Sequence, residues 1–273
     1  MTACPNETKT KGGLGSIAEQ TVDRKVDVVF GGGKGRFDET DGLISGGVDK
    51  GKTVLQSADR QGYKIITKAG QLHALTRNDL PVLGLFTAGN RTTEWTGPVA
   101  ASGDGVAAHK CTTGHRPAGE PALAAMTQKA IELLENPNGF FLQIEGASID
   151  KQDHAANACA QIGETVAFDR ATGVALEYQK PHPNTLIIVT ADHSHTSQII
   201  GEDSTGAGDS TGYSNNLNTK DGQVMRVSYA SAGGEDKPDA PPSQQHTGAA
   251  VPIWVSGPGA KAILGTDLFF QGK

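Results

Sequence analysis

The chain has 273 residues, with 24 Lys and Arg against 30 Asp and Glu and a formal net charge of −6. That balance argues against a general polyanion-binding face, so no nucleic-acid partner is expected. Apolar residues make up 36% of the chain and no run approaches the ~18 needed for a membrane span, so no membrane partner is expected either.

In chain order, the opening MTACPNETKTKGG lacks the charged-then-apolar pattern of a signal peptide. The three cysteines, Cys4, Cys111 and Cys159, form no CxxC pair, which argues against a thiolate-built zinc site. VDVVF (26–30) reads as a strand, residues 53–61 as a short helix, KIIT (64–67) as a strand and VLGLF (82–86) as another. Pro121 opens a helix in a first-turn position, with Leu123, Met126, Ala130, Ile131 and Leu134 on one face. FFLQIE (140–145) and TLIIVT (185–190) read as core strands, joined by a long helix from His154 to about Lys180 that is interrupted near Gly163. Residues 201–218 and 233–242 read as polar loops, VMRVSY (224–229) and PIWVSG (252–257) as late strands. Short apolar runs alternating with helices predict an α/β fold with a large central, mostly parallel sheet flanked by helices. No repeat or composition break divides the chain, so 1–273 is expected to be one domain.

Three patterns carry possible chemistry. GGVDKGKT (46–53) fits the phosphate-cradling G-x-x-x-x-G-K-[ST], which would make the chain a nucleotide binder. That motif must leave a buried strand, and the acidic stretch 38–45 before it is a poor one, so a Gly/Lys loop before a helix is the favoured reading. Ser204 and Ser210 each follow an aspartate, but a polar Gly-rich loop does not supply the strained turn on which a nucleophilic serine is held. The third pattern is fuller. Glu145 ends one strand, and Asp150 and His154 follow at a spacing of four that puts them on one helical face. Asp192, His193 and His195 follow the second strand, beyond the end where parallel sheets place ligands, and His246 precedes a third. Asp and His without thiolates suit zinc, while a further carboxylate such as Glu145 suits magnesium. His73, His109, His115 and His182 lie in contexts that read as structural or solvent-facing.

GFFLQIEGASIDKQDHAANACAQIGETV (139–166) closely resembles bacterial alkaline phosphatases, and the likeness continues through TLIIVTADHSHTSQI, LNTKDG and QQHTG and back to GSIAEQ and VDVVFGGG. The resemblance implies hydrolysis of phosphate monoesters to inorganic phosphate, with two Zn2+ and one Mg2+, in a periplasmic or secreted homodimer. It gives Asp150, His154 and His246 to one zinc, Asp192 and His193 to a second, and Glu145 to the magnesium. Lys151 matches a position that contacts phosphate through water, and Asp153 and His195 match positions that support the metal shell. It also pairs Cys111 with Cys159 in a disulfide and matches Cys4-Pro5 to half of another. The family's Asp-Ser-Ala-x-x-Ala-Thr nucleophile string, a bridging aspartate, a phosphate-clamping arginine and a threonine ligand of magnesium have no counterpart here. The chain is therefore expected to correspond to the C-terminal part of such an enzyme: it supplies most metal ligands but not the nucleophile, and alone it would act as a zinc-binding fragment or complementing subunit.

Overall fold

A computed structural model describes residues 8–40, 43–103, 105–201, 213–229 and 243–265. Cys4, Ser204, Ser210 and the loop 233–242 lie outside these residues. Contacts gather the chain into two units, Met1–Thr92 with Arg116–Ile144, and Thr93–His115 with Glu145–Lys273.

In the first unit three strands, β1 (Val28–Gly31), β2 (Lys64–Ile66) and β3 (Val82–Leu85), form a parallel sheet in the order β1-β3-β2. β3 is apolar at every position because it is central and covered on both faces. Its side chains alternate between two cores: Leu83 and Leu85 pack with Val22, Val54 and Tyr63, while Val82 packs with Leu72, Met126 and Leu133. Each fully buried side chain of this size contributes about 1.5–3 kcal/mol relative to exposure. Helices α1 (Ile17–Asp23), α2 (Gly35–Asp38), α3 (Val54–Arg60), α4 (Ala69–His73) and α5 (Leu123–Leu134) complete the unit. Ser16 with Glu19, and Thr53 with Gln56, close reciprocal capping boxes that set the starts of α1 and α3. α5 begins after an Ala122 cap, so Pro121 stands just before the helix and not in its first turn.

The phosphate-loop pattern is absorbed by this architecture. The Thr53 hydroxyl accepts from Gln56 N, the amides of Gly51 and Lys52 bond to the carbonyls of Ile44 and Asp49, and Lys52 Nζ lies 3.2 Å from Asp49 Oδ1. Among the described residues no strand leads into the loop. Lys52→Ala is expected to leave ATP binding at background in a fluorescence titration; saturable binding abolished by the substitution would restore the nucleotide reading. Asp49 itself is buried, and it also accepts from Ser57 Oγ and Arg60 Nε, both at 2.6 Å. The Arg60 guanidinium, helped by Ser57 and Lys52 against the cost of burial, holds its carboxyl well below the usual carboxylate range. A depressed folded value means stability present above the unfolded value of about 3.9 and lost as pH falls through the folded one. Asp49→Asn is therefore expected to cost roughly 2 kcal/mol at pH 7 through lost charge-assisted hydrogen bonds. The deficit should shrink below pH 4; urea melts showing the same deficit at pH 3 and pH 7 would contradict this.

The second unit holds β4 (Trp95–Thr96), β5 (Ala101–Ser102), β6 (Val106–His109), β7 (Thr112–Thr113), β8 (Ile187–Val189), β9 (Ser194–His195), β10 (Ser197–Ile200), β11 (Tyr213–Asn218), β12 (Val224–Tyr229), β13 (His246–Thr247) and β14 (Trp254–Ser256). Its helices are α6 (Ala147–His154), α7 (Ala158–Gln179) and α8 (Ala260–Gly265). The expected large, mostly parallel sheet is not found among the described residues. The largest sheet runs β10-β12-β11-β5 with antiparallel pairings throughout, and only β6 joins β11 in parallel. The cause is local: β11 and β12 are joined by a short turn through Thr219 and Gly222, too short for a parallel crossover.

Strand β11 was expected to be loop because YSNNLN is polar. Its Asn215 and Asn216 side chains donate to the carbonyls of Pro98 and Val106, both at 2.8 Å, and the Ser214 hydroxyl accepts from the buried Arg226. Residues 140–145 form no strand among the described residues, and β8 pairs antiparallel with β14, leaving Ile188 half exposed. The long helix breaks at Ala155–Asn157, not at Gly163. Ala156 takes a left-handed φ of 50°, and Asn157 then caps Ala160 N to restart as α7. Gly163 is instead a packing position, since a Cβ there would meet the Trp95 backbone N at 2.9 Å. Among the described residues no helix is long and apolar enough to cross a membrane.

Candidate metal centre

Three segments of the second unit bring the histidines together. Asp150 lies in α6 and His154 ends it, one turn apart, with His154 Nε2 3.4 Å from Asp150 Oδ1. β9 and β13 pair antiparallel with His195 directly opposite His246. Gln244 N donates to the His154 carbonyl, and His154 Nδ1 bonds the Gln244 carbonyl, so the approach to β13 is fastened to the end of α6. β10 is tied to the same helix where Ser197 Oγ donates to Asp153 Oδ1 at 3.0 Å.

The result is a centre built around one carboxylate oxygen. Asp150 Oδ1 has His195 Nε2 at 2.8 Å, His246 Nε2 at 3.0 Å and His193 Nε2 at 3.8 Å. Asp150, His193, His195 and His246 each place a potential ligand atom within 4.8 Å of all the others, and His154 Nε2 lies 2.9 Å from His246 Nε2. A tetrahedral ion with bonds of about 2.0–2.1 Å separates its donors by about 3.3 Å, so this spacing fits a single first-row cation. The imidazoles are packed to suit: His193 and His246 stack with centroids 3.6 Å apart. His193 and His195 also each keep a buried Nδ1 without a hydrogen-bond partner. Burial pushes the Asp150 carboxyl up, but the hydrogen bonds and charges of His195, His154 and His246 outweigh it and hold it below the usual carboxylate range. Asp153 behaves oppositely. Burial raises it to about 6, against the charge of His195 and the bond from Ser197.

The other residues expected at the site are not among the four that share this spacing. Glu145 is exposed, and Asp192 is 80% exposed with Oδ2 3.4 Å from His193 Nε2. Lys151 Nζ donates to the Ala147 carbonyl of its own helix. His195, expected to support the metal shell, bonds Asp150 Oδ1 through Nε2 at 2.8 Å and is one of the four residues that share this spacing. The signal for it was in the sequence: residues 193 and 195 are two apart, the spacing that places side chains on one side of an extended segment. The neighbouring hydroxyls are committed elsewhere, Ser194 and Thr247 to the His195 carbonyl and Ser197 to Asp153.

The fold and this donor set define an α/β protein with a candidate metal site of Asp and His donors. Residues 1–241 match the family model for alkaline phosphatase. The chain is 47% identical over 280 residues to an alkaline phosphatase of Escherichia fergusonii, covering 99% of this chain and 56% of that protein. It is 45% identical over 278 residues to streptomycin-6-phosphate phosphatase of Streptomyces griseus, covering 98% and 58%. Among solved structures, alkaline phosphatase from the Antarctic bacterium TAB5 matches with a TM-score of 0.55 at 25% identity, over 90% of this chain and 57% of the other. The chain belongs to the alkaline phosphatase family and spans a little over half the length of these relatives. The disulfide implied by the resemblance is present between Cys111 and Cys159.

Proposed function

We propose that this chain is the metal-holding part of a phosphate monoester hydrolase, and that the attacking hydroxyl and the remaining metal ligands come from polypeptide outside this sequence. The observation that carries the reading is the convergence of three segments on Asp150 Oδ1. A zinc ion held there would supply Lewis-acid polarisation of a phosphoryl or leaving-group oxygen. The chain's own residues do the rest. Asp150, His154, His193, His195 and His246 gather around one carboxylate oxygen, and buried Asp153 holds β10 against α6 through Ser197. In the finer assignment, zinc takes Asp150, His154 and His246, a second zinc takes Asp192 and His193, and magnesium takes Glu145. Lys151 reaches phosphate through water, Asp153 and His195 support the metal shell, and the whole protein is a periplasmic or secreted homodimer. Residues 1–273 are proposed to fold as one domain.

A purified chain is expected to bind zinc in equilibrium dialysis, unfold in one transition, and hydrolyse an aryl phosphate at background between pH 8 and 10 with zinc and magnesium present. Activity is expected to appear when the missing portion of a relative is added. Turnover by the chain alone at roughly 1 per second, ordinary for an enzyme, would overturn the assignment of the nucleophile. Failure to bind zinc would overturn the metal reading.

A further inference from the structure

We propose that His109 is the acid group for thiol–disulfide exchange at Cys111–Cys159, and that a small thiol or dithiol reductant enters at Cys111. Cys159 is wholly buried, at the start of α7, among Ala156, Ala158, Leu217, Val227 and Tyr229. Cys111 is only half-buried, between β6 and β7, so of the two sulfurs it is the one an incoming thiolate reaches. Cys159 is then the leaving sulfur, and His109 Nε2 stands 3.7 Å from it. His109 Nδ1 lies 3.0 Å from the Ala107 carbonyl, which accepts a hydrogen bond from Nδ1–H and keeps Nε2 turned to the sulfur. A separate observation shows how closely this group is packed. A Cβ on Gly97 would come within 2.5 Å of Cys159 Sγ and 3.4 Å of His109 Nε2, so only glycine leaves room for ring and sulfur together.

The chemistry balances with a dithiol as reductant. Its thiolate attacks Cys111 Sγ, a new S–S bond forms there, and the Cys111–Cys159 bond breaks. The electron pair stays on Cys159 Sγ, which takes the Nε2 proton of the His109 imidazolium. The second thiol of the reductant then displaces Cys111 as thiolate and leaves as a cyclic disulfide, oxidised by the two electrons that the protein disulfide gains. In reverse, neutral His109 takes the proton of the Cys159 thiol and prepares it for re-oxidation. A thiol beside an imidazolium has a lowered pKa, and a lower leaving-thiol pKa speeds exchange.

The test uses the full oxidised chain. At fixed pH, reduction by dithiothreitol is followed by alkylation and mass spectrometry for the parent, His109→Phe and His109→Gln. Both variants are expected to react about tenfold more slowly, since neither carries a transferable proton. A merely structural role for His109 predicts the opposite sign, because loosened packing exposes the disulfide; an unchanged or faster rate in both variants overturns the proposal. A second readout needs no variant. Brief exposure of the parent to glutathione is expected to leave the mixed disulfide on Cys111, and an adduct on Cys159 overturns the proposal.

Discussion

Asp150→Ala is expected to weaken zinc binding on the order of several hundredfold. Structural zinc sites bind with about 10–16 kcal/mol, which divided over four ligands gives roughly 2.5–4 kcal/mol for each. Asp150 lies at the upper end of that range because its Oδ1 is the atom on which His195, His246, His154 and His193 all close. Its removal takes away a donor and also leaves imidazoles stacked on one another with no anion between them. His246→Ala is expected to cost a similar factor, since it removes a donor while the backbone pairing of β13 with β9 stays in place. His115→Ala and Glu145→Gln are the matched controls. The first lies in the 105–115 stretch and the second is exposed and outside the donor set, so both are expected to retain the parent affinity. Zinc at a hundred times its dissociation constant also stabilises the folded chain by about 2.7 kcal/mol. That increment is expected in the parent and in Glu145→Gln, and to vanish in Asp150→Ala. Full zinc occupancy in Asp150→Ala, measured by dialysis and metal analysis, would sink the account of Asp150 as a zinc ligand.

What the sequence made legible follows from how local each signal is. The Asp150–His154 pair could be read because four-residue spacing on a helix is a local fact, and α6 is a helix over both positions. The parallel strands VDVVF, KIIT and VLGLF could be read because burial on two faces demands continuous apolar runs, and all three form β1, β2 and β3 close to their expected bounds. β11 could not be read this way. Its stability comes from asparagine side chains whose carbonyl partners, Pro98 and Val106, lie more than a hundred residues away in the chain. The 140–145 run failed for the converse reason: an apolar pattern shows that a segment is suited to a sheet without supplying the neighbours that pair with it. The break at Ala156 is similarly invisible, since alanine in a left-handed conformation is held by surrounding contacts such as Ala100 N to the Ala156 carbonyl, not by its own preference. His195 shows a different limit. The family resemblance gave it a supporting role, and only the β9–β13 register brings its Nε2 to within hydrogen-bond distance of Asp150.

Removing the disulfide by the paired change Cys111→Ala and Cys159→Ala is expected to lower unfolding stability by about 4 kcal/mol. The bridged residues are 48 apart in sequence, and closing a loop of that size removes about that much chain entropy from the unfolded state. The side-chain loss itself is small, because alanine keeps most of the volume of Cys159 in its core. At about 2–4 °C per kcal/mol for a chain of this size, the melting temperature is expected to fall by roughly 8–16 °C. Zinc affinity is expected to change far less than stability does. α6, β9 and β13 are positioned by their own contacts, Gln244 with His154 and His195 with His246, and none of those passes through the disulfide. The segment carrying Cys111 is also held to the α6–α7 corner independently, by Ala100 N on the Ala156 carbonyl and Asn157 Nδ2 on the Gly97 carbonyl. Those bonds set a lower bound on the order that survives reduction. A stability loss under 1 kcal/mol in guanidinium melts would mean that they already restrict the loop as tightly as the covalent bridge does. A hundredfold loss of zinc affinity in the paired variant would mean instead that the end of α6, and His154 with it, is placed through Cys159.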